Sequence, residues 1–309
     1  MKLLLCVDDD PALDEVLGVL DWIVEVSKWS EILVVHVVSQ NPLFLVATDS
    51  PRARRGESLM ERVGERLSHL PARVTRVLSK GDPAQEIVRM ADSTCAELII
   101  LGAWGERRDF LVGSVSQRVV SLAPTDVLVV RGGDHGQAAE RERESSFRAL
   151  VAVDGSLGSE AGIDAFSSKL RARSASIRVV HVVEAIPTLW EAGRDPSSFH
   201  DPLDVKAAEV LTWAREAFER RGLSVEGEWR RGNPAAQILE AARENGSHVI
   251  VVGSRGHSAI REVVLGGITH RVLRHAPCNV LCARGWATQS GALSRRWLSD
   301  AWEPGAGMA

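Results

Sequence analysis

An apolar run ending at Val252 is followed by Gly253, Gly256 and Gly266, separated by two and then nine residues, with Gly267 directly behind the last. Backbone without side chains at such positions lets a bulky charged group come close. The segment behind them, ITHRVLRHA, reads as a helix. A glycine turn running into a helix N-terminus presents N–H groups that lack intrahelical partners, and the helix dipole favours negative charge there. The chemistry on offer is phosphate binding by backbone. Glycines after a strand can instead serve only a tight turn; the third glycine, the doubled Gly266-Gly267 and the following helix favour the anion. The chain has no G-x4-G-K-[ST], and no G-x-G-x-x-G follows the first strand-like run of either half. Neither a P-loop ATPase nor a nicotinamide dehydrogenase is indicated.

Other residues invite chemistry and are better explained without it. Asp154 at the end of LVAVD could act as a base, yet a carboxylate there is equally able to accept hydrogen bonds from a ligand, and binding is the favoured role. Ser156 lies in VDGSLGSE, which is not G-x-S-x-G, so a helix N-cap explains it better than a nucleophile. His36 and His181 recur in VHVV between valines and read as satisfied core histidines. His257 could reach a phosphate and could equally be solvated. The four cysteines, Cys6, Cys95, Cys278 and Cys282, read as reduced thiols filling core volume, with no second close pair to complete a metal site. No catalytic residue and no metal ligand is assigned.

The elements that must position these residues come from a repeat. KLLLCVD (2–8) matches RALVAVD (148–154), and ILVVHVV (32–38) matches IRVVHVV (177–183). SKGDPAQEIVRMADSTCAELIILG (79–102) matches RRGNPAAQILEAARENGSHVIVVG (230–253), and VGSVSQRVVSLAPTDVLVVR (112–131) matches LGGITHRVLRHAPCNVLCAR (265–284). Four blocks in the same order mean one domain written twice. Short continuous runs of Val, Leu and Ile have the composition of strands buried on both faces, and helical stretches at 157–171, 203–222 and 234–245 separate them. Pro234 suits a first helical turn, with Gly232-Asn233 before it. The alternation predicts an α/β fold of two doubly wound, parallel-sheet domains with helices on both faces. The expected boundaries are 1–132 for the first domain, 133–147 for a polar linker, 148–284 for the second domain and 285–309 for a frayed tail carrying Trp286, Trp297 and Trp302.

Composition narrows the function classes. The chain is 309 residues long, 45% hydrophobic and 25% charged, with a net charge of -4 and pI near 6.2. Basic residues are mixed with acidic ones, so nucleic acid is not an expected partner. No stretch reaches the ~18 apolar residues of a membrane span, and the five residues before Cys6 are too few for a signal-peptide core of about 7–15 residues. A cytoplasmic location is expected.

Taken together, VDGS (Val153 to Ser156), VHVV, GNPAAQIL and the G-x2-G-x9-G spacing before RHAPCNVL resemble the universal stress protein family, in tandem, over both halves. The resemblance implies Rossmann-like domains, each a five-stranded parallel sheet of order 3-2-1-4-5. It also implies an ATP-binding stress-response regulator, with Mg²⁺ accompanying the nucleotide and at most slow hydrolysis. Carried onto this chain, the nucleotide site of the second half consists of Asp154 and Val182 at the nucleoside end, then Gly253, Gly256, His257, Gly266, Gly267 and Thr269. The family usually has Ser or Thr where Gly267 stands, so one hydroxyl is missing. The corresponding residues of the first half are Asp8, Val37, Gly102, Gly105, Gly113, Ser114 and Ser116. That half departs further: its loop is two residues shorter, and VDDD replaces VDGS, adding negative charge that Mg²⁺ or Arg107 and Arg108 would have to offset. The second half is therefore the expected nucleotide holder. The last strands, VLVVR and NVLCAR, are expected at sheet edges where the halves pair as a pseudo-dimer, with homodimerisation a further expectation. A nucleotide-free scaffold of the same fold and an adenine-nucleotide hydrolase are the alternatives.

Overall fold

Continuous apolar runs such as LLLC and LIIL are buried on both faces, which requires a sheet covered by helices on each side. The structure, a computed structural model, describes residues 1–8, 13–39, 51–103, 112–131, 147–184, 202–254 and 265–284. In the first half the order is β1 (Lys2–Cys6), α1 (Leu13–Trp22), β2 (Glu31–Ser39), α2 (Pro51–Arg66), β3 (Arg73–Gly81), α3 (Pro83–Thr94), β4 (Leu98–Gly102), α4 (Ser114–Leu122) and β5 (Asp126–Val130). The second half repeats it as β6 (Phe147–Ala152), α5 (Leu157–Lys169), β7 (Ala175–Val183), α6 (Pro202–Glu219), β8 (Glu226–Arg231), α7 (Pro234–Glu244), β9 (Val249–Gly253), α8 (Gly267–His275) and β10 (Asn279–Ala283). The linker and tail expected at 133–147 and 285–309 lie outside the described residues, except Phe147, which opens β6.

Within each half the strands run parallel in the order 3-2-1-4-5. Alternation along each strand feeds two cores. Leu3 and Leu5 join Leu20, Leu59, Phe166 and Phe218 on one face; Leu4 and Cys6 join Ile87, Val119, Ile238 and Val272 on the other. Helix starts follow the repeated G-[DN]-P: Asp82 accepts a hydrogen bond from the Gln85 amide at 2.9 Å, and Asn233 accepts one from the Ala236 amide at 3.1 Å, each followed by proline in the first turn.

The two sheets are continuous. β5 and β10 pair antiparallel, with Val127 opposite Cys282, Leu128 opposite Leu281 and Val129 opposite Val280, giving ten strands in one sheet. Strands that would be apolar edges are thereby covered. Away from this seam, Trp22 of α1 lies 4.5 Å from the His248 ring and 6.5 Å from that of Phe147, tying the halves a second time.

One sequence expectation needs correcting. Cys6, Cys278 and Cys282 fill core volume, but Cys95 is exposed at the end of α3, in the left-handed region at φ 53°. Its apolar neighbours alternate inward around it, and the helix terminus turns it outward.

Candidate functional site

In each half the connection from the first strand leads to one side and the connection into the fourth leads to the other. In the second half β6 therefore lies between β7 and β9, and in the first β1 lies between β2 and β4. Such a switch of direction opens a crevice at the carboxyl ends of the two central strands. Asp154 follows β6, Val182 lies near the end of β7, Gly253 ends β9, and Gly266, Gly267 and Thr269 start α8. The topology brings these six to one end of the second sheet. Gly256 and His257 lie outside the described residues.

Asp154 is held by its own turn. Its Oδ1 accepts hydrogen bonds from the Ser156 amide at 3.0 Å and the Ser159 hydroxyl at 2.6 Å, while its amide donates to Ser159 Oγ at 2.8 Å. Gly155 takes φ 80°, a left-handed turn that suits glycine, and Ser156 caps α5 by accepting from the Ser159 amide at 3.3 Å. The VDGS turn thus fixes the direction of a carboxylate at the crevice. Sequence reading missed Ser159; its signal was the spacing D-x4-S, which returns a hydroxyl to the aspartate after one helical turn.

The glycines differ in what they are for. A Cβ on Gly253 would lie 2.6 Å from the carbonyl carbon and oxygen of Gly158, so this glycine lets the first turn of α5 pack on the end of β9. Gly266 and Gly267 carry no such obligation. Gly266 sits at φ −59°, and its nearest neighbour to an added Cβ would be the Ser254 carbonyl oxygen at an ordinary 3.5 Å. Around Gly267 an added Cβ would meet nothing within 4 Å among the described residues. Gly266, the N-cap of α8, makes no side-chain cap, in contrast to the capped starts of α3, α5 and α7. The end of β9 and the start of α8 are tied together: the Gly266 amide donates to the Ser254 carbonyl at 3.1 Å, and Thr269 donates its hydroxyl to the Gly253 carbonyl at 2.7 Å. Thr269 is buried and ties the helix to the strand.

The first half reproduces these ties. Gly113 donates to the Ala103 carbonyl at 2.6 Å and Ser116 donates its hydroxyl to the Gly102 carbonyl at 2.7 Å. Gly113 caps α4 without a side chain and Ser114 opens the helix, exposed. Asp8 is also exposed, 3.7 Å from His36 Nδ1, and Val37 lies near the end of β2. Gly105, Arg107 and Arg108 lie outside the described residues. The repeated histidines act as strand ties: Nδ1 of His36 meets the Val7 carbonyl at 3.0 Å and Nδ1 of His181 meets the Val153 carbonyl at 2.8 Å. A carbonyl can only accept, so Nδ1 carries the proton in both.

The two halves thus carry, in matching positions, a strand-order switch point with an aspartate after the first strand and a glycine-led helix after the fourth. The family model of the universal stress protein family matches residues 1–131 and again 147–284. The chain belongs to the universal stress protein family. Universal stress protein YxiE of Bacillus subtilis is 36% identical over 143 residues, covering 44% of this chain and 97% of that protein, so one whole relative corresponds to less than half of this tandem chain. A universal stress protein of Mycolicibacterium smegmatis is 25% identical over 146 residues, 46% of this chain and 49% of that protein. Among solved structures, a universal stress protein from Archaeoglobus fulgidus is similar in fold, with a TM-score of 0.66 and 20% identity over 92% of this chain and 96% of that one. Both universal stress protein halves are thus present, and among the described residues no helix is long and apolar enough to cross a membrane.

Proposed function

We propose that this tandem universal stress protein is a cytoplasmic, ATP-binding stress-response regulator in which occupancy of the second half, rather than turnover, is the signal. Its working units are the domains 1–132 and 148–284. The observation that carries the reading is the start of α8 at the switch point, which no side chain caps. A phosphate at α8 would complete N–H groups that the helix itself leaves without partners, with Gly266 and Gly256 leaving it room and Mg²⁺ carried on the nucleotide. The turn-fixed carboxylate of Asp154 would accept from the adenine amino group or a ribose hydroxyl, with Val182 beside it. A ligand shifts a conformational equilibrium only by binding one state better, and the loop between Ser254 and Leu265 is the segment that phosphates would bias.

The test is calorimetric titration of MgATP into nucleotide-stripped protein, beside Gly267→Glu and Gly267→Ser. Glutamate in the first helical turn suits the dipole and a Cβ there meets no described atom within 4 Å, so the fold is expected to be kept while its carboxylate excludes phosphate. Saturable binding that Gly267→Glu removes and Gly267→Ser strengthens by a few fold, with unchanged thermal unfolding, is expected. Equal binding by wild type and Gly267→Glu moves the nucleotide elsewhere. No binding by any of the three makes the protein a nucleotide-free scaffold.

A further inference from the structure

The C-terminal end of α8 is held by the other half of the molecule. Arg131, just beyond β5, is buried and crosses the seam to donate to the Ala276 carbonyl at 2.6 Å, the Leu273 carbonyl at 2.7 Å and the Arg274 carbonyl at 2.9 Å. The last carbonyls of a helix lack intrahelical donors, and a planar guanidinium can serve several at once while its charge suits the dipole. Its amide donates to Asn279 Oδ1 at 2.9 Å, which fixes where the side chain starts. The exchange is reciprocal: buried Arg284, just beyond β10, donates to the Val120 carbonyl of α4, and its amide donates to Asp126 Oδ1 at 2.6 Å. Each half therefore caps the glycine-led helix of the other. Within its own half the hydrogen bonds described above hold α8 near its start, through Gly266 to Ser254 and Thr269 to Gly253, while Val272 and Leu273 pack apolar against the core.

From this geometry we infer that Arg131 is a positioning residue for the second half's nucleotide site, so that the helix receiving phosphate depends on the first half for its seating. The inference rests on the nucleotide reading of α8. It extends it by making the site a property of the paired molecule: a change in the pairing of the halves alters affinity, and by linkage bound nucleotide tightens the pairing.

The experiment uses the full chain with Arg131→Met, Arg131→Lys and, as a control at another contact between the halves, Val24→Ala. Val24 bridges to Leu170 and belongs to the core on one face of the sheet, whereas Val272 and Leu273 of α8 belong to the core on the other. MgATP affinity is measured by calorimetry, and amide hydrogen exchange is compared between α8 and the adjacent strand β9. Arg131→Met is expected to weaken binding about tenfold and to speed exchange in α8 beyond any change in β9. Arg131→Lys, which keeps the charge without the fork, is expected to recover part of both, and Val24→Ala to leave both as in the wild type. Should Arg131→Met not fold, Arg131→Lys carries the comparison. Wild-type affinity in the folded variant, or α8 exchange that rises no more than that of β9, overturns the inference. If the wild type binds no MgATP, the functional reading falls, and the exchange measurement alone decides whether Arg131 seats α8.

Discussion

At the scale of single residues, the same amino acid serves different ends a few positions apart. Gly253 is a packing glycine. Replacing it by alanine brings Cβ to 2.6 Å from the Gly158 backbone, which cannot yield as a flexible side chain would. Gly253→Ala is expected to lower stability by about 2 kcal/mol, read as a lower unfolding midpoint in urea with an unchanged slope. Gly267, with no described atom within 4 Å of an added Cβ, is expected to tolerate side chains and to report on ligand alone. The cysteines divide in the same way. Burial pushes the Cys278 and Cys282 thiols up to about 12 and raises Cys6 as well, whereas Cys95 is exposed. Since the thiolate is the reactive form, labelling of the native protein at neutral pH is expected to modify Cys95 and spare the other three, which react after denaturation. Rapid labelling of more than one thiol in the native state contradicts this burial.

Among the elements, helix termini carry most of the information. α3 ends on Cys95 at φ 53°, and the matching position after α7 is Gly246 at φ 56°. The chain direction there demands a left-handed residue in both halves, and only the second half uses the residue that adopts it without strain. Cys95→Gly is expected to stabilise the protein by about 1 kcal/mol, seen as a raised thermal midpoint, and to abolish native-state labelling. The starts of α4 and α8 differ from those of α3 and α7 because Asp82, Asn233 and their prolines close the latter, while glycine leaves the former open. The uncapped starts lie at the carboxyl edge of the sheet, where a ligand can complete them.

In the molecule as a whole, the seam is specific as well as apolar. Asp126 accepts from the Lys169 ammonium, and both are nearly buried, at 8% and 12% side-chain exposure. Lys169 also donates to the Glu97 carbonyl at 2.6 Å. The equivalent of Asp126 in the second half is Asn279, which instead donates to the His248 carbonyl at 2.9 Å. The two sides of the pseudo-dimer are therefore not interchangeable. Lys169→Met leaves a carboxylate buried without its cation and is expected to cost about 3 kcal/mol; adding Asp126→Asn is expected to recover most of it. A double-mutant cycle in chemical denaturation with no coupling between the two positions would falsify the assignment.

The amino-acid sequence by itself determined the duplication and the β/α alternation, because apolar runs buried on both faces leave few ways to cover a sheet; the strand order of each half was what the family resemblance implied, and the structure has it. The sequence also determined the caps, since G-[DN]-P writes its conformation locally. Ser156 and the histidines of VHVV were legible as structural residues for the same reason. The exposure of Cys95 was not legible, because its neighbours are apolar and its own backbone angle is set by where α3 must stop. Nor could the glycine spacing separate Gly253 from Gly267: the distinction lies in the approach of Gly158, a contact between distant parts of the chain. Only the tertiary structure decided that Arg131 and Arg284 cross the seam to cap each other's helices, because a side chain's partner across a sheet junction depends on pairing and register, which no local pattern encodes.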